Sequence, residues 1–183
     1  MHFAIDAGHN SPPGDTGAIG YVIEDNLTKE LAAKISALLL AAGHQVTNCV
    51  VPKSKSLVES LKQRVAIAND SQAELYVSLH FNKFLPTGKF TSNPMGSEVY
   101  VASASGRKVG VKVMAELKKL GFAVHDAVGG NGVKIGSFYV LVQTQMPAIL
   151  IESFFLDSKS DFNCFTKVGM DSLAAAIVKG LTA

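Results

Sequence analysis

Charge of one sign, cysteine and long apolar runs are all scarce in this 183-residue sequence, and each scarcity closes off a class of function. Lysine and arginine number 17 against 15 for aspartate and glutamate. A net charge of +2 provides no broad field for gripping nucleic acid or an anionic membrane surface. The two cysteines, Cys49 and Cys164, have no second cysteine or histidine at ligand spacing. A cysteine-built zinc site is thereby excluded, and both read as small apolar residues rather than as a disulfide. No apolar run approaches the ~20 residues that span a bilayer, so no membrane partner is expected. Internal repeats, low-complexity tracts and linkers are also missing, which leaves residues 1–183 as one expected domain. What is present is 48% hydrophobic residues, enough for one substantial core.

Strand-like and helix-like segments alternate, the pattern of an α/β sheet covered by helices on both faces. Phe3–Ile5 predicts a strand that ends at Asp6-Ala7-Gly8-His9 and feeds a turn-rich surface loop containing Pro12, Pro13, Gly14 and Gly17. Leu27, Leu31, Ile35, Leu38 and Leu39 recur at helical spacing up to Gly43, which suits a left-handed C-cap. Glu24 then stands at or just before the first turn of that helix. A strand around Gln45–Val51 follows, and Ser56 with Glu59 forms a capping-box pattern ahead of Leu57, Leu61, Val65 and Ala68. In Leu75–Asn82 apolar residues alternate with Tyr76, Ser78, His80 and Asn82, so His80 points away from the more apolar face. Lys83–Ser97 reads as a long loop fit to flank a groove. Glu98–Ala102 predicts a strand, Val109–Leu120 a helix, and Phe122–Gly136 a Gly-rich connection. Phe138–Val142 and Ala148–Ile151 predict two more strands, and a helix through Phe165–Leu181 closes the chain.

His9, Glu24 and His80 each lie at the end of an element beside a loop, where α/β sheets build their sites. Singly, each has an ordinary explanation: a hydrogen-bonded turn histidine, or an acid favoured by a helix dipole. Together, two imidazoles and one carboxylate make a catalytic zinc set with a fourth position left open. Glu152 ends the apolar run Pro147–Ile151, beside Phe154 and Phe155, where burial can raise a carboxyl pKa into a useful range. A capping or ion-paired acid is its plainer reading. Asp6 and Asn82 are placed to orient the imidazoles, although a local turn or strand-end hydrogen bond accounts for either equally well. His2, His44 and His125 match no motif and read as surface histidines; His125 and Asn131 fall in the Gly-rich connection, where contact with a substrate is open.

Four blocks resemble the zinc-dependent N-acetylmuramoyl-L-alanine amidases of the type-3 class, found in bacterial autolysins and phage endolysins. They are Ile5–Asn10 with Gly17–Gly20; Glu24 ahead of the leucine-patterned helix; Ser78–Asn82; and Gly132–Lys134 with Tyr139–Leu141 and Met146–Glu152, then Phe155. They occur in the family's order from residue 5 to about 162. The chain departs from the pattern at Asn10, where glycine is common, and at Ser153, where a glycine or another small residue is frequent.

The resemblance implies a twisted, largely parallel (mixed) sheet of about six strands between helices. It implies one zinc ion at His9, Glu24 and His80, with Glu152 as general acid and base. Peptidoglycan is the implied substrate and no other partner is expected; a monomer is the simplest assembly. A zinc peptidase or carboxypeptidase with the same ligand set, and a catalytically silent wall-binding module, are the rival functions. Met1–Ile5 is too short and too soon polar for a signal peptide. The expected setting is therefore a phage endolysin held in the cytoplasm until release, or an excised domain of a secreted wall enzyme.

Overall fold

The computed structural model describes residues 1–125 and 130–183. A six-stranded sheet runs through it in the order β2-β1-β3-β6-β4-β5. The strands are β1 (His2–Ala7), β2 (Gln45–Asn48), β3 (Leu75–Asn82), β4 (Glu98–Val101), β5 (Val133–Ile135) and β6 (Ala148–Phe155). β1, β2, β3 and β6 are mutually parallel, while β4 is antiparallel to β6 and parallel to β5. The sheet is therefore mixed, as expected, and the carboxyl ends of its three central strands share one edge. That edge is where open α/β sheets place their ligands.

Helices cover both faces because both faces of the central strands are apolar, the signature of a buried parallel sheet. α1 (Glu24–Ala41), α3 (Ala104–Lys119) and α5 (Lys159–Thr182) close the larger core, around Phe3, Ile5, Val77, Leu79, Ile149 and Ile151. α2 (Leu57–Asp70) and α4 (Tyr139–Val142) close a smaller one, around Ala4, Tyr76, Ala148 and Leu150. α1 buries Leu27, Leu31, Ile35 and Leu39 in one stripe. It ends as its glycine predicts: Gly43 has φ 81°, and the amides of Gly43 and His44 return to the carbonyls of Leu40 and Leu39. At α2, Ser56 Oγ accepts from Glu59 N at 3.2 Å, and Glu59 reaches back to Lys55 N at 2.7 Å, one residue beyond the usual capping-box partner. Ser103 and Ser158 cap α3 and α5 in the same way. Cys49 is buried, Cys164 half-buried, and both are free thiols. No helix among the described residues is long and apolar enough to cross a membrane.

Two segments differ from the reading of the sequence. Phe138–Val142 is not a strand: Tyr139–Val142 forms a helical turn, with Leu141 N and Val142 N bonded to Phe138 O. A four-residue apolar run carries no period that separates strand from helix. The place beside β4 goes instead to Val133–Ile135, which lies inside the expected Gly-rich connection. Gly130 and Gly132, at φ 72° and 70°, turn the chain into it. α3 also starts five residues earlier than its apolar spacing suggests, at the Ser103 cap. Part of the Gly-rich connection, residues 126–129, lies outside the described residues.

α3 and α5 approach closely at Gly180, where an added Cβ would sit 2.6 Å from the Cα of Val113. Backbone cannot yield there as a flexible side chain would. Gly180→Ala is therefore expected to destabilise the fold by about 1–3 kcal/mol in a urea melt, against the helix-propensity gain of ~1 kcal/mol that an open site would give.

Candidate metal centre

The site starts where β1 ends. After Ala7 the chain turns sharply through Gly8, with His9 and Asn10 in left-handed backbone at φ 60° and 62°. Gly8 is dictated by contact: a Cβ there would fall 2.1 Å from the His80 ring. Its amide is tied to Leu79 O on β3 at 2.9 Å, and Asn10 Nδ2 donates to Gly8 O and Thr28 Oγ1. Asparagine tolerates left-handed backbone better than most residues, which suits it to this position.

The turn brings His9 against His80, their rings edge to face at 4.9 Å between centroids. Glu24, the first residue of α1, faces both. Its Oε1 lies 3.1 Å from His80 Nδ1 and accepts from Phe81 N at 3.1 Å, while Oε2 accepts from Ala18 N at 2.8 Å and lies 3.5 Å from His9 Nε2. One donor atom from each of His9, Glu24 and His80 can be chosen so that all three lie within 4.8 Å of one another. Burial alone would raise the Glu24 pKa, but the hydrogen bond and charge of His80, with His9 and Ala18 N, bring it below the ordinary value. Two borderline nitrogens and one ionised oxygen at this spacing fit a zinc-sized divalent ion.

A second ring of contacts orients these groups. His9 Nδ1 faces Asp15 Oδ1 at 2.8 Å, leaving Nε2 directed toward Glu24. Burial lowers the His9 pKa, but the Asp15 hydrogen bond and the charges of Glu24, Asp15 and Asp25 raise it overall. Arg64, 1% exposed, lies beneath the turn. Its guanidinium donates to Asp6 Oδ1, Ala7 O, His9 O, Ser11 Oγ and Ser60 Oγ. Ser60 Oγ donates in turn to Asp15 Oδ2 at 2.7 Å.

Glu152 sits beside His80 in register on β6. Its Oε2 is sealed from solvent and has no hydrogen-bond partner among the described residues. Burial, followed by the charges of Glu24 and Glu98, pushes its carboxyl well above the usual carboxylate range. Glu98 stands opposite it on β4, holding Lys134 Nζ at 2.6 Å and Asn82 Nδ2 at 2.5 Å.

Of the residues marked in the sequence, His9, Glu24, His80 and Glu152 come together at the sheet edge. Asp6 does support the turn, but through Arg64; Tyr76 and Ser78 also donate to it. Asn82 braces Glu98 rather than an imidazole. His2, His44 and His125 are half-buried and join no cluster among the described residues: His2 bonds Thr47, His44 packs on Phe3, and His125 bonds Met95 O and packs on Phe155. Asn131 accepts from Val133 N at the start of β5. Asp15 and Glu98 carried no marker in the sequence. Arg64 had a usable one, being a cation in the apolar stripe of α2 between Leu61 and Ala68.

A cluster of two imidazoles and a carboxylate, faced by a free acid at the edge of an α/β sheet, belongs to the chemistry of metal-assisted hydrolysis. The sequence pattern of the N-acetylmuramoyl-L-alanine amidase family matches residues 3–183, and the chain belongs to that family. It is 32% identical to the N-acetylmuramoyl-L-alanine amidase LytC of Bacillus subtilis over 96% of the chain and 34% of that protein. An uncharacterised 38.4 kDa protein of Clostridium perfringens is 30% identical over 99% of the chain and 51% of its own length. The chain thus spans a third to a half of these relatives. Among solved structures, the catalytic domain of the CD27L endolysin targeting Clostridia Difficile superposes with a TM-score of 0.82 at 27% identity, over 100% of this chain and 97% of that one. The catalytic domain of the CwlV amidase of Paenibacillus polymyxa superposes at 0.79 and 26% identity, over 100% and 96%.

Proposed function

We propose that the chain hydrolyses the amide between N-acetylmuramic acid and L-alanine in bacterial peptidoglycan, with residues 1–183 acting as one catalytic unit. Family membership supports the substrate class. The observation that carries the chemistry is the Glu152 carboxyl beside the His9, Glu24 and His80 cluster, its Oε2 without a hydrogen-bond partner among the described residues. Those three side chains would hold one zinc ion, His9 through Nε2. Zinc bound there supplies Lewis acidity, which activates water and polarises an amide carbonyl.

Glu152 takes the proton of the attacking water on its carboxylate and returns it to the departing L-alanine nitrogen. Burial, Glu24 and Glu98 all push its carboxyl above the ordinary value, the direction that suits a group which must both accept and donate a proton. Asp15 fixes the His9 ring by accepting from Nδ1, so that Nε2 keeps its lone pair.

Digestion of purified peptidoglycan tests the proposal. The products should carry new L-alanine amino termini and no new reducing sugar ends. New amines on any other residue would replace the amidase with a peptidase. Asp15→Ala should weaken zinc affinity by about 10–100-fold in a competition titration with a chromogenic chelator, with the fold retained by circular dichroism. An unchanged affinity would leave Asp15 with no part in holding His9.

A further inference from the structure

A cleft of about 310 Å³ opens beside His9, His80 and Glu152, between α2 and α4. Its walls are Leu57, Leu61, Phe138 and Tyr139. Leu57 is 50% exposed and Phe138 43%, so two large apolar side chains stand in water at the rim of a reaction site. Apart from Glu152, the acids and the arginine at its floor are already engaged. The Asp6 carboxylate accepts from Arg64, Tyr76 and Ser78, Asp15 is held between His9 and Ser60, and Arg64 is spent on the His9 turn.

We propose that this cleft seats the amino half of the scissile amide, and that Leu57, Leu61, Phe138 and Tyr139 select an apolar side chain on the first residue of the stem peptide. The inference rests on the amidase reading, because it uses the direction of proton return. Glu152 lines the cleft, and its carboxyl must come within hydrogen-bond reach of the leaving nitrogen. His9 and His80 line the same cleft, so the apolar walls set the direction: with the nitrogen on the Glu152 side of the carbonyl carbon, the Cα and side chain of the first residue follow it toward Leu57, Leu61, Phe138 and Tyr139. A sugar ring fits poorly here, since its hydroxyls would find the charged floor groups occupied and apolar walls around them. A methyl group loses nothing by entering. The helical turn at Tyr139–Val142 is what supplies the second wall, a role that an extended strand paired into the sheet would not fill.

The test compares zinc-loaded protein on two soluble substrates, N-acetylmuramoyl dipeptides whose first residue is L-alanine or glycine. Wild type should prefer L-alanine by about 10-fold in kcat/KM, the usual discrimination for one methyl group in an apolar pocket. Leu57→Ser and Phe138→Ser should bring that ratio toward unity, chiefly through KM for the alanine substrate. Both side chains are solvent-exposed, so the variants should fold. Phe84→Ser, which removes a 66% exposed ring outside the cleft, should keep the wild-type ratio. Wild-type turnover of both substrates without preference overturns the cleft assignment alone, as does a variant that slows both substrates equally and leaves the ratio intact. Failure of zinc-loaded wild type on both substrates overturns the amidase reading and the cleft together.

Discussion

Glu152→Gln is expected to lower kcat on peptidoglycan fragments by about 10³-fold or more, with zinc still bound one to one and KM little changed. The magnitude follows from the work assigned to the side chain. Positioned proton transfer contributes about 10²–10⁴-fold, and here one group serves both the attack and the departure of the amine. Glutamine keeps the shape of the side chain and cannot accept the proton. Stability should not fall, because the substitution removes a carboxyl that burial and the charges of Glu24 and Glu98 already disfavour in its ionised form. A parallel drop in kcat and kcat/KM marks an interaction made only in the transition state, as proton transfer requires. Atomic absorption and a thermal melt on the same preparation complete the measurement. If kcat stays within tenfold of wild type at full zinc, Glu152 is not the base; if zinc is lost, Glu152 is holding the metal.

Local chemistry accounts for what could be read in advance. Helices α1 and α2 were visible from leucine spacing, from the serine cap of α2 and from Gly43, because those signals act within a few residues. The α/β class followed from alternation, and four marked side chains, His9, Glu24, His80 and Glu152, meet at one sheet edge. The exchange of roles between Phe138–Val142 and Val133–Ile135 was not visible. Each run is too short to show a period, and which one pairs with β4 is settled by a tertiary competition for the sheet edge. Asp15 and Arg64 were missed for a related reason. Asp15 meets Ser60 from 45 residues away, and Arg64 meets Asp6 from 58, so neither spacing leaves a local trace. The chemical groups of the site could be read from motifs, but the scaffold that aims them could not.

That scaffold carries the largest expected stability effect. Arg64→Met should destabilise the fold by about 3–5 kcal/mol, the usual result of removing one partner from a buried ion pair. Asp6 would be left 1% exposed without its guanidinium, retaining only the hydroxyls of Tyr76 and Ser78. For a chain of this size, about 2–4 °C per kcal/mol places the fall in midpoint at roughly 6–20 °C. Zinc affinity should fall as well, because the same guanidinium holds His9 O in a left-handed turn that a histidine adopts only under constraint. Arg64→Lys should recover little of either loss, since one ammonium cannot span Asp6, Ala7 O, His9 O and Ser11 as the planar fork does. The double substitution Asp6→Leu with Arg64→Met separates the two roles. Removing both charges should restore much of the stability, as is usual when a buried pair gives way to apolar residues. Zinc affinity should stay low, because the support under His9 O is still gone. Recovery of both stability and metal binding in the double variant would reduce Arg64 to a charge partner of Asp6 with no hold on the His9 turn.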